Sequence, residues 1–284
     1  MSPAPESGFF EVQGRARFLL SGPDSTRYLN GQVSIDITRL QPLIARPACL
    51  LTAKGKLCAL LQIWRDGDHL FIECDESLAD TVQARLERYL IADDACLEPV
   101  VVPSPLFHIF GVDAPAGALR INRTGLPGFD TTDKSASLSS AATPVQLALL
   151  RIIHGQPAWG VEITEDTLPQ EARLEDTAVD FDKGCYVGQE TVSRLKSVGR
   201  VNKRLHGFLG SFPANLALPV RLHPLGQPDT TAGHLTSTAP HFDIAQTAAL
   251  GYLNRQFENL ERFCVSDEQG RPLGEVERRA FPIL

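Results

Sequence analysis

The densest group of chemically capable residues in this chain is Asp182-Lys183-Gly184-Cys185-Tyr186-Val187-Gly188-Gln189-Glu190, followed by Thr191-Val192-Ser193-Arg194. Glycine lets a backbone turn tightly and approach a ligand or another chain closely. A thiol becomes a nucleophile or metal ligand as thiolate, which a nearby cation or a helix N-terminus favours. Cys185 has glycines on both sides and Lys183 two residues before it, so a functional thiol with Lys183 as its activating cation is the first expectation. An isolated cysteine is more often a small buried hydrophobe. Here the surrounding Gly, Lys, Gln, Glu and Arg argue against a core segment.

A helix starting near Gly188 would place Cys185 just ahead of its N-terminus, where anions and thiolates are stabilised. Val192, Leu195 and Val198 repeat along one helical face, with Glu190 near the start, Arg194 and Lys196 near the end, and Gly199 as a C-terminal cap. Glu190 and Arg194 are four apart and can pair. The plainer alternative is a strand-to-helix turn with a charged exterior.

Other catalytic patterns are missing. There is no G-x-x-x-x-G-K-[ST] phosphate loop, no H-E-x-x-H and no G-x-S-x-G elbow. The six cysteines (49, 58, 74, 96, 185 and 264) include no C-x-x-C pair and no spacing typical of zinc or a locally held cluster, so no metal site is expected. Cys49, Cys58 and Cys74 sit in apolar, strand-like text and are expected in the core. The seven histidines are scattered without ligand-like spacing.

The elements around the motif alternate between strand and helix. Residues 16–20 read as a strand, and Ser21-Gly22-Pro23-Asp24 opens a helix to about Asn30, with Pro23 in its first turn. Residues 48–52 and 56–64 are strands, and Arg65-Asp66-Gly67-Asp68 is a hairpin turn leading into a strand over 69–74. Leu78, Val82, Leu86 and Leu90 predict a helix over 77–90 capped by Ser77. Another strand covers 95–102. Strand, strand, helix, strand fits an α+β unit with antiparallel sheet. Residues 113–144 are rich in small residues and mark a seam. The proline-punctuated text after Phe212, with strands at 249–254 and 262–266 and a turn at 267–270, suggests a small β-barrel or sandwich.

Composition is that of a globular protein: 284 residues, 43% hydrophobic and 21% charged. A net charge of −7 argues against a protein that coats nucleic acid. The first seven residues lack a basic-then-apolar signal pattern, and no uncharged apolar run reaches membrane-spanning length, so a cytoplasmic protein is expected.

Lys-Gly-Cys-Tyr-x-Gly-Gln-Glu followed by Arg194 resembles the signature of the YgfZ family, folate-binding proteins that assist iron–sulfur proteins and affect tRNA modification. They are relatives of the glycine-cleavage T-protein, an aminomethyltransferase. Arg27-Tyr28-Leu29-Asn30-Gly31-Gln32-Val33-Ser34-Ile35-Asp36 resembles that family's first helix, Ala53-Lys54-Gly55-Lys56 its next turn, and Leu168-Pro169-Gln170-Glu171-Ala172 its approach to the motif. The resemblance implies an α+β fold of two ferredoxin-like units, the first split in sequence, plus a C-terminal β-barrel in a T-protein-like three-domain arrangement. The corresponding segments are 1–47 with 117–198 for the domain carrying the motif, 48–116 for the second, and 199–284 for the barrel.

It also implies a tetrahydrofolate-type ligand and iron–sulfur client or assembly partners. Trp159-Gly160-Val161-Glu162 is attractive for a pterin, because the Glu162 carboxylate can accept hydrogen bonds from its amino and ring N–H groups. The T-protein resemblance places a folate-binding glutamate there too. Asn30, Tyr186, Gln189 and Arg194 are the other candidate folate contacts. Lys183, Arg194, Lys196, Arg200, Lys203 and Arg204, against Glu190 alone, form either a cationic rim for a folate polyglutamate tail or RNA phosphates, or simply a solvated face.

The T-protein carries an aspartate in the strand after its glycine turn; residues 54–64 here contain no carboxylate. Amine chemistry of that kind needs a placed acid or base, so T-protein-type catalysis is not expected. The leading expectation is a monomeric, folate-binding accessory protein for iron–sulfur enzymes, including tRNA-modifying ones, that uses Cys185 without binding tRNA itself. A folate-dependent one-carbon transferase and a thiol-based redox or interaction module without folate are the alternatives.

Overall fold

The computed structural model describes residues 4–133, 140–197, 199–241, 244, 246–267 and 269–283. Val198, expected on the apolar face after the motif, and Glu268, expected in the 267–270 turn, lie outside the described residues. The chain forms two compact units: a motif unit of residues 7–140 and 164–200, and a barrel unit of residues 1–6, 141–163 and 201–284.

The motif unit holds two antiparallel sheets. The larger has β3 (Arg46–Leu51), β4 (Leu57–Asp66), β5 (His69–Asp75), β2 (Arg15–Ser21) and β6 (Cys96–Val100), in that spatial order. Leu57, Ala59, Leu61 and Ile63 alternate into the core along β4, the period of a half-buried strand. β4 and β5 are joined through the two-residue loop Gly67-Asp68, with Asp66 opposite His69, as the hairpin signal requires. The boundary expected between residues 47 and 48 falls inside β3, and this one sheet draws strands from both sides of it. The smaller sheet orders β1 (Gly8–Glu11), β7 (Phe107–Phe110), β9 (Gly128–Thr131) and β8 (Leu119–Arg120).

Three helices cover this unit. α1 (Ser25–Gln32) starts just after Pro23, which lies in the preceding turn rather than in the helix. α2 (Ala79–Glu87) buries Val82 and Leu86 completely. Ser77 does not cap it. A 3-10 turn over Glu76–Leu78 precedes α2, and the Asp75 carboxylate accepts from the Ser77 amide at 3.0 Å. The aspartate one position before that turn offers the stronger acceptor for its free N–H groups. The Tyr28 hydroxyl donates to the Leu86 carbonyl and fastens α1 to the end of α2. α4 (Gln189–Ser197) follows the cysteine motif, buries Val192, and ends where Gly199 donates to the Arg194 carbonyl at 3.0 Å.

In the barrel unit, six antiparallel strands close in the order β10 (Lys203–Ser211), β13 (Gln246–Asn254), β12 (Gly233–His241), β11 (Val220–Pro224), β14 (Arg262–Ser266) and β15 (Pro272–Arg279). Closure removes the exposed sheet edges that would invite pairing with another chain. Phe208 and Phe263 meet edge to face in its interior, centroids 6.1 Å apart. Outside the barrel lies α3 (Pro144–Ile153), which packs Leu149, Ile152 and Ile153 with Leu205, Leu209, Leu250 and Tyr252. Its start is a full capping box: the Thr143 hydroxyl accepts from the Gln146 amide, the Gln146 side chain accepts from the Thr143 amide, and proline is at the first position. Thr-Pro-Val-Gln was a readable helix signal. The fold is therefore mixed α and β with a closed C-terminal barrel, as expected.

Candidate functional site

The segment before α4 is pinned at several residues. Asp180 receives two hydrogen bonds from the Arg46 guanidinium, at 3.0 and 2.8 Å, and one from the Asp36 amide at 2.7 Å. Its own amide donates to the Ser34 carbonyl at 2.9 Å. The Ser34 hydroxyl donates to the Ala178 carbonyl and accepts from the Cys49 amide at 2.7 Å. Such a bidentate pair supplies geometry as well as energy. Arg46 and Asp180 are 134 residues apart, so nothing local in the sequence links them.

Lys183 is only 8% exposed, and its ammonium donates to three carbonyls: Asn30 at 2.6 Å, Val33 at 2.6 Å and Ile35 at 2.7 Å. An ammonium has three N–H donors, and all three are spent on the end of α1 and the loop after it. Burial pulls this group down to about 8, against the opposing pull of Asp36 and Asp180. Its hydrogen-bonding capacity therefore serves that loop and is closed to the thiol. Tyr186 is 7% exposed, with its ring 5.0 Å from the Lys183 ammonium, and burial pushes its phenol up. The Val187 amide donates to the Gly31 carbonyl at 3.2 Å. Between the two buried anchors, Gly184 and Cys185 are exposed. The thiol is thus carried outward on a turn clamped from both sides.

The β3–β4 hairpin braces the other end. A side chain at Gly188, which has φ +87°, would reach 2.6 Å from the Thr52 carbonyl oxygen; one at Gly55, φ +77°, would reach 2.8 Å from the Thr191 side chain. Both positions need glycine for backbone conformation and for close approach. From beneath, the Gln170 amide donates to the Val192 carbonyl at 2.9 Å. The blocks around Asn30, Gly55 and Gln170 are thereby gathered around the motif. Gln189 is half-buried at the head of α4, and Arg194 is exposed on its outer face.

The expected cationic rim is rearranged. Lys183 is buried and leaves it, while Lys203 and Arg204 belong to the barrel unit, where Lys203 sits 4.6 Å over the Tyr252 ring. Lys196 lies 3.7 Å over the Phe181 ring, beside the motif, and the hairpin braced against α4 adds exposed Lys54. Among the described residues no group of three or more His, Cys, Asp or Glu side chains is gathered as a metal site.

Glu162 belongs to the barrel unit, and its side chain is wholly buried. Its Oε2 accepts from Arg151 Nη1 at 2.7 Å and from the Ala158 amide at 2.9 Å; its Oε1 accepts from the Thr236 and Ser237 hydroxyls at 2.9 and 2.5 Å. Arg151 Nη2 closes the ring by donating to the Ser237 hydroxyl at 2.5 Å. A carboxylate offers about four acceptor sites, and all are filled from within the unit. Asn30 is similarly engaged, its side-chain oxygen by the Ile37 amide at 2.9 Å and its carbonyl by Lys183. With Tyr186 buried as well, this residue set does not fit the anchoring of a pterin ring. Open acceptors at Glu162 were the feature that role required.

No family model matches the chain. It is 27% identical over 246 residues to the "Iron-sulfur cluster assembly factor IBA57 homolog, mitochondrial" of Phaeosphaeria nodorum, an alignment covering 78% of this chain and 57% of that protein. It is 25% identical over 299 residues to the "tRNA-modifying protein YgfZ" of Cronobacter sakazakii, covering 93% and 90%. The chain thus spans little more than half the length of the fungal relative and most of the bacterial one. Among solved structures it resembles the glycine cleavage system aminomethyltransferase T of Bartonella henselae, with a TM-score of 0.79 at 15% identity, covering 98% of this chain and 86% of that one. The motif and the braced turn that carries it thus occur in a chain similar over most of its length to YgfZ and the IBA57 homologues, on the fold of the T-protein.

Proposed function

We propose that this protein supports the assembly or repair of iron–sulfur enzymes, tRNA-modifying ones among them, and that Cys185 is the thiol it offers to the client site. Its relatives carry the names of an iron–sulfur cluster assembly factor and a tRNA-modifying protein. The observation that carries the reading in this chain is the exposure of Cys185 between two buried anchors. A core cysteine would not need such a mount. Iron, sulfide or a preformed cluster is cargo in this scheme. Tetrahydrofolate belongs to it through the family resemblance alone.

The test is complementation in cells lacking the native protein, read as the activity of iron–sulfur enzymes. Cys185→Ala should fold normally and fail to restore that activity. Full restoration would sink the thiol role and leave the motif as a binding loop. The transferase alternative has the fold in its favour, but the strand after Gly55 presents no carboxylate until Asp66 at its far end. Purified protein should therefore release no methylenetetrahydrofolate from an aminomethyl-lipoyl carrier, and turnover above the uncatalysed control would reverse that judgement.

A further inference from the structure

On α4 and on the hairpin braced against it, next to the turn that carries the exposed thiol, the motif unit presents four exposed cations: Lys54 on the β3–β4 hairpin, Arg194 and Lys196 on α4, and Arg200 just beyond it. The acids exposed on the same motif-and-helix segment are Asp182 and Glu190. Lys56, next to the hairpin tip, is paired with Asp166 at 2.5 Å and adds no free charge. The patch is positive on a chain whose net charge is −7. It is also held in place, because Gly55 and Gly188 lock the hairpin to the start of α4 and Lys196 lies against Phe181. The elements that carry Lys54, Arg194 and Lys196 are therefore packed against the turn that carries the thiol. Thr191 faces the hairpin that carries Lys54, Lys196 lies on the opposite flank of the helix, and Arg194 projects from its outer face.

We propose that this surface docks an acidic face of a partner protein and so brings that protein's reactive site to Cys185. The proposal rests on the reading of Cys185 as the working thiol and adds the chemistry of the partner. Two observations favour a protein over a nucleic acid. The aromatic rings beside the patch are not open to bases, since Tyr186 is buried and Phe181 is covered by Lys196, whereas single strands are held largely by stacking on open rings. A long polyanion would also meet the repulsion of a chain at −7 overall, while a compact acidic patch would engage only these cations.

The test reads how fast iodoacetamide modifies Cys185 in the full chain, by peptide mass spectrometry, with and without a hexaglutamate peptide. Cys96 is exposed at the opposite edge of the larger sheet from β3 and serves as the internal control. At about 10 mM salt, where screening extends to roughly 30 Å, hexaglutamate should slow Cys185 alkylation several-fold and leave Cys96 unchanged. The protection should vanish near 0.5 M salt and in the Lys54→Glu/Arg194→Glu/Lys196→Glu variant. The milder Lys54→Gln/Lys196→Gln variant should retain the wild-type melting temperature and show partial loss of protection. Absence of protection in the wild type, or equal protection in the reversed variant, would overturn the proposal. Stronger protection by a short single-stranded RNA than by the peptide would also overturn it, assigning the patch to nucleic acid. The Cys185→Ala complementation tests the thiol role separately, so the two can fail independently.

Discussion

Between Lys183 and Tyr186 the chain turns outward for two residues, and the Cys185 thiol rides on that turn. Removing the thiol removes little packing, so Cys185→Ala should shift stability by no more than about 0.5 kcal/mol. Lys183→Met should behave quite differently, because it leaves the carbonyls of Asn30, Val33 and Ile35 without their donor. Unmet buried acceptors make a loss of about 2–4 kcal/mol the expected outcome in urea unfolding. Equal stabilities for the two variants would show that Lys183 does not clamp the turn. Glu162 gives a second contrast. Glu162→Gln breaks the pairing with Arg151, whose side chain keeps 24% of its exposure. The cost should therefore be about 2–4 kcal/mol, at or below the range for a fully buried pair. Calorimetry with tetrahydrofolate at millimolar concentration should give the same result for variant and wild type, and a selective loss of binding at unchanged stability would restore Glu162 as a ligand anchor.

At the scale of elements, the mount depends on two pieces of chain meeting without side chains between them. Gly55→Ala would place a methyl 2.8 Å from the Thr191 side chain at φ +77°. Left-handed strain alone costs about 1–2 kcal/mol for a residue other than glycine, and the clash must push the hairpin off α4. The expected result is a lowered melting temperature together with a changed alkylation rate at Cys185, while Cys96 reacts as before. Thr143→Ala makes a milder test of α3: losing the capping oxygen should cost about 1 kcal/mol and leave Cys185 reactivity unaffected.

Within the whole motif unit, the two sheets are joined by charge. Glu73 on β5 is fully buried and accepts from Arg15 at 3.1 Å, Arg17 at 2.8 Å and Arg123 at 2.8 and 3.0 Å. Arg123 also donates to Asp130 on β9 at 3.1 and 2.6 Å, so one guanidinium bridges both sheets. Burial alone would raise the Glu73 carboxyl, but the arginines, Arg123 foremost, hold it at about 2 instead of 4.5. A carboxyl depressed by folding stabilises above its unfolded value, and that contribution disappears as pH falls from 4.5 through about 2. The shift corresponds to about 3 kcal/mol. Urea midpoints should fall across that window in the wild type. Glu73→Gln should start lower at neutral pH, with three arginines left without their shared carboxylate, and show a flatter acid dependence. An unchanged slope would remove Glu73 from the acid response.

The sequence by itself determined what short-range chemistry can decide. The strands read over 48–52, 56–64 and 69–74, the turn at 65–68, the helix after the motif and the turn character around Cys185 all follow from local sequence. The capping box at Thr143 is equally local. Tertiary structure decided where each charge goes. Lys183 and Cys185 are two residues apart, yet one reaches inward to carbonyls about 150 residues earlier and the other faces solvent. Glu162 was legible as a hydrogen-bond acceptor, but its four donors are brought together by α3 and the loop after it packing against β12. Side-chain type limits which bonds a residue can make. Which partners arrive depends on contacts between distant segments, and no local pattern encodes those.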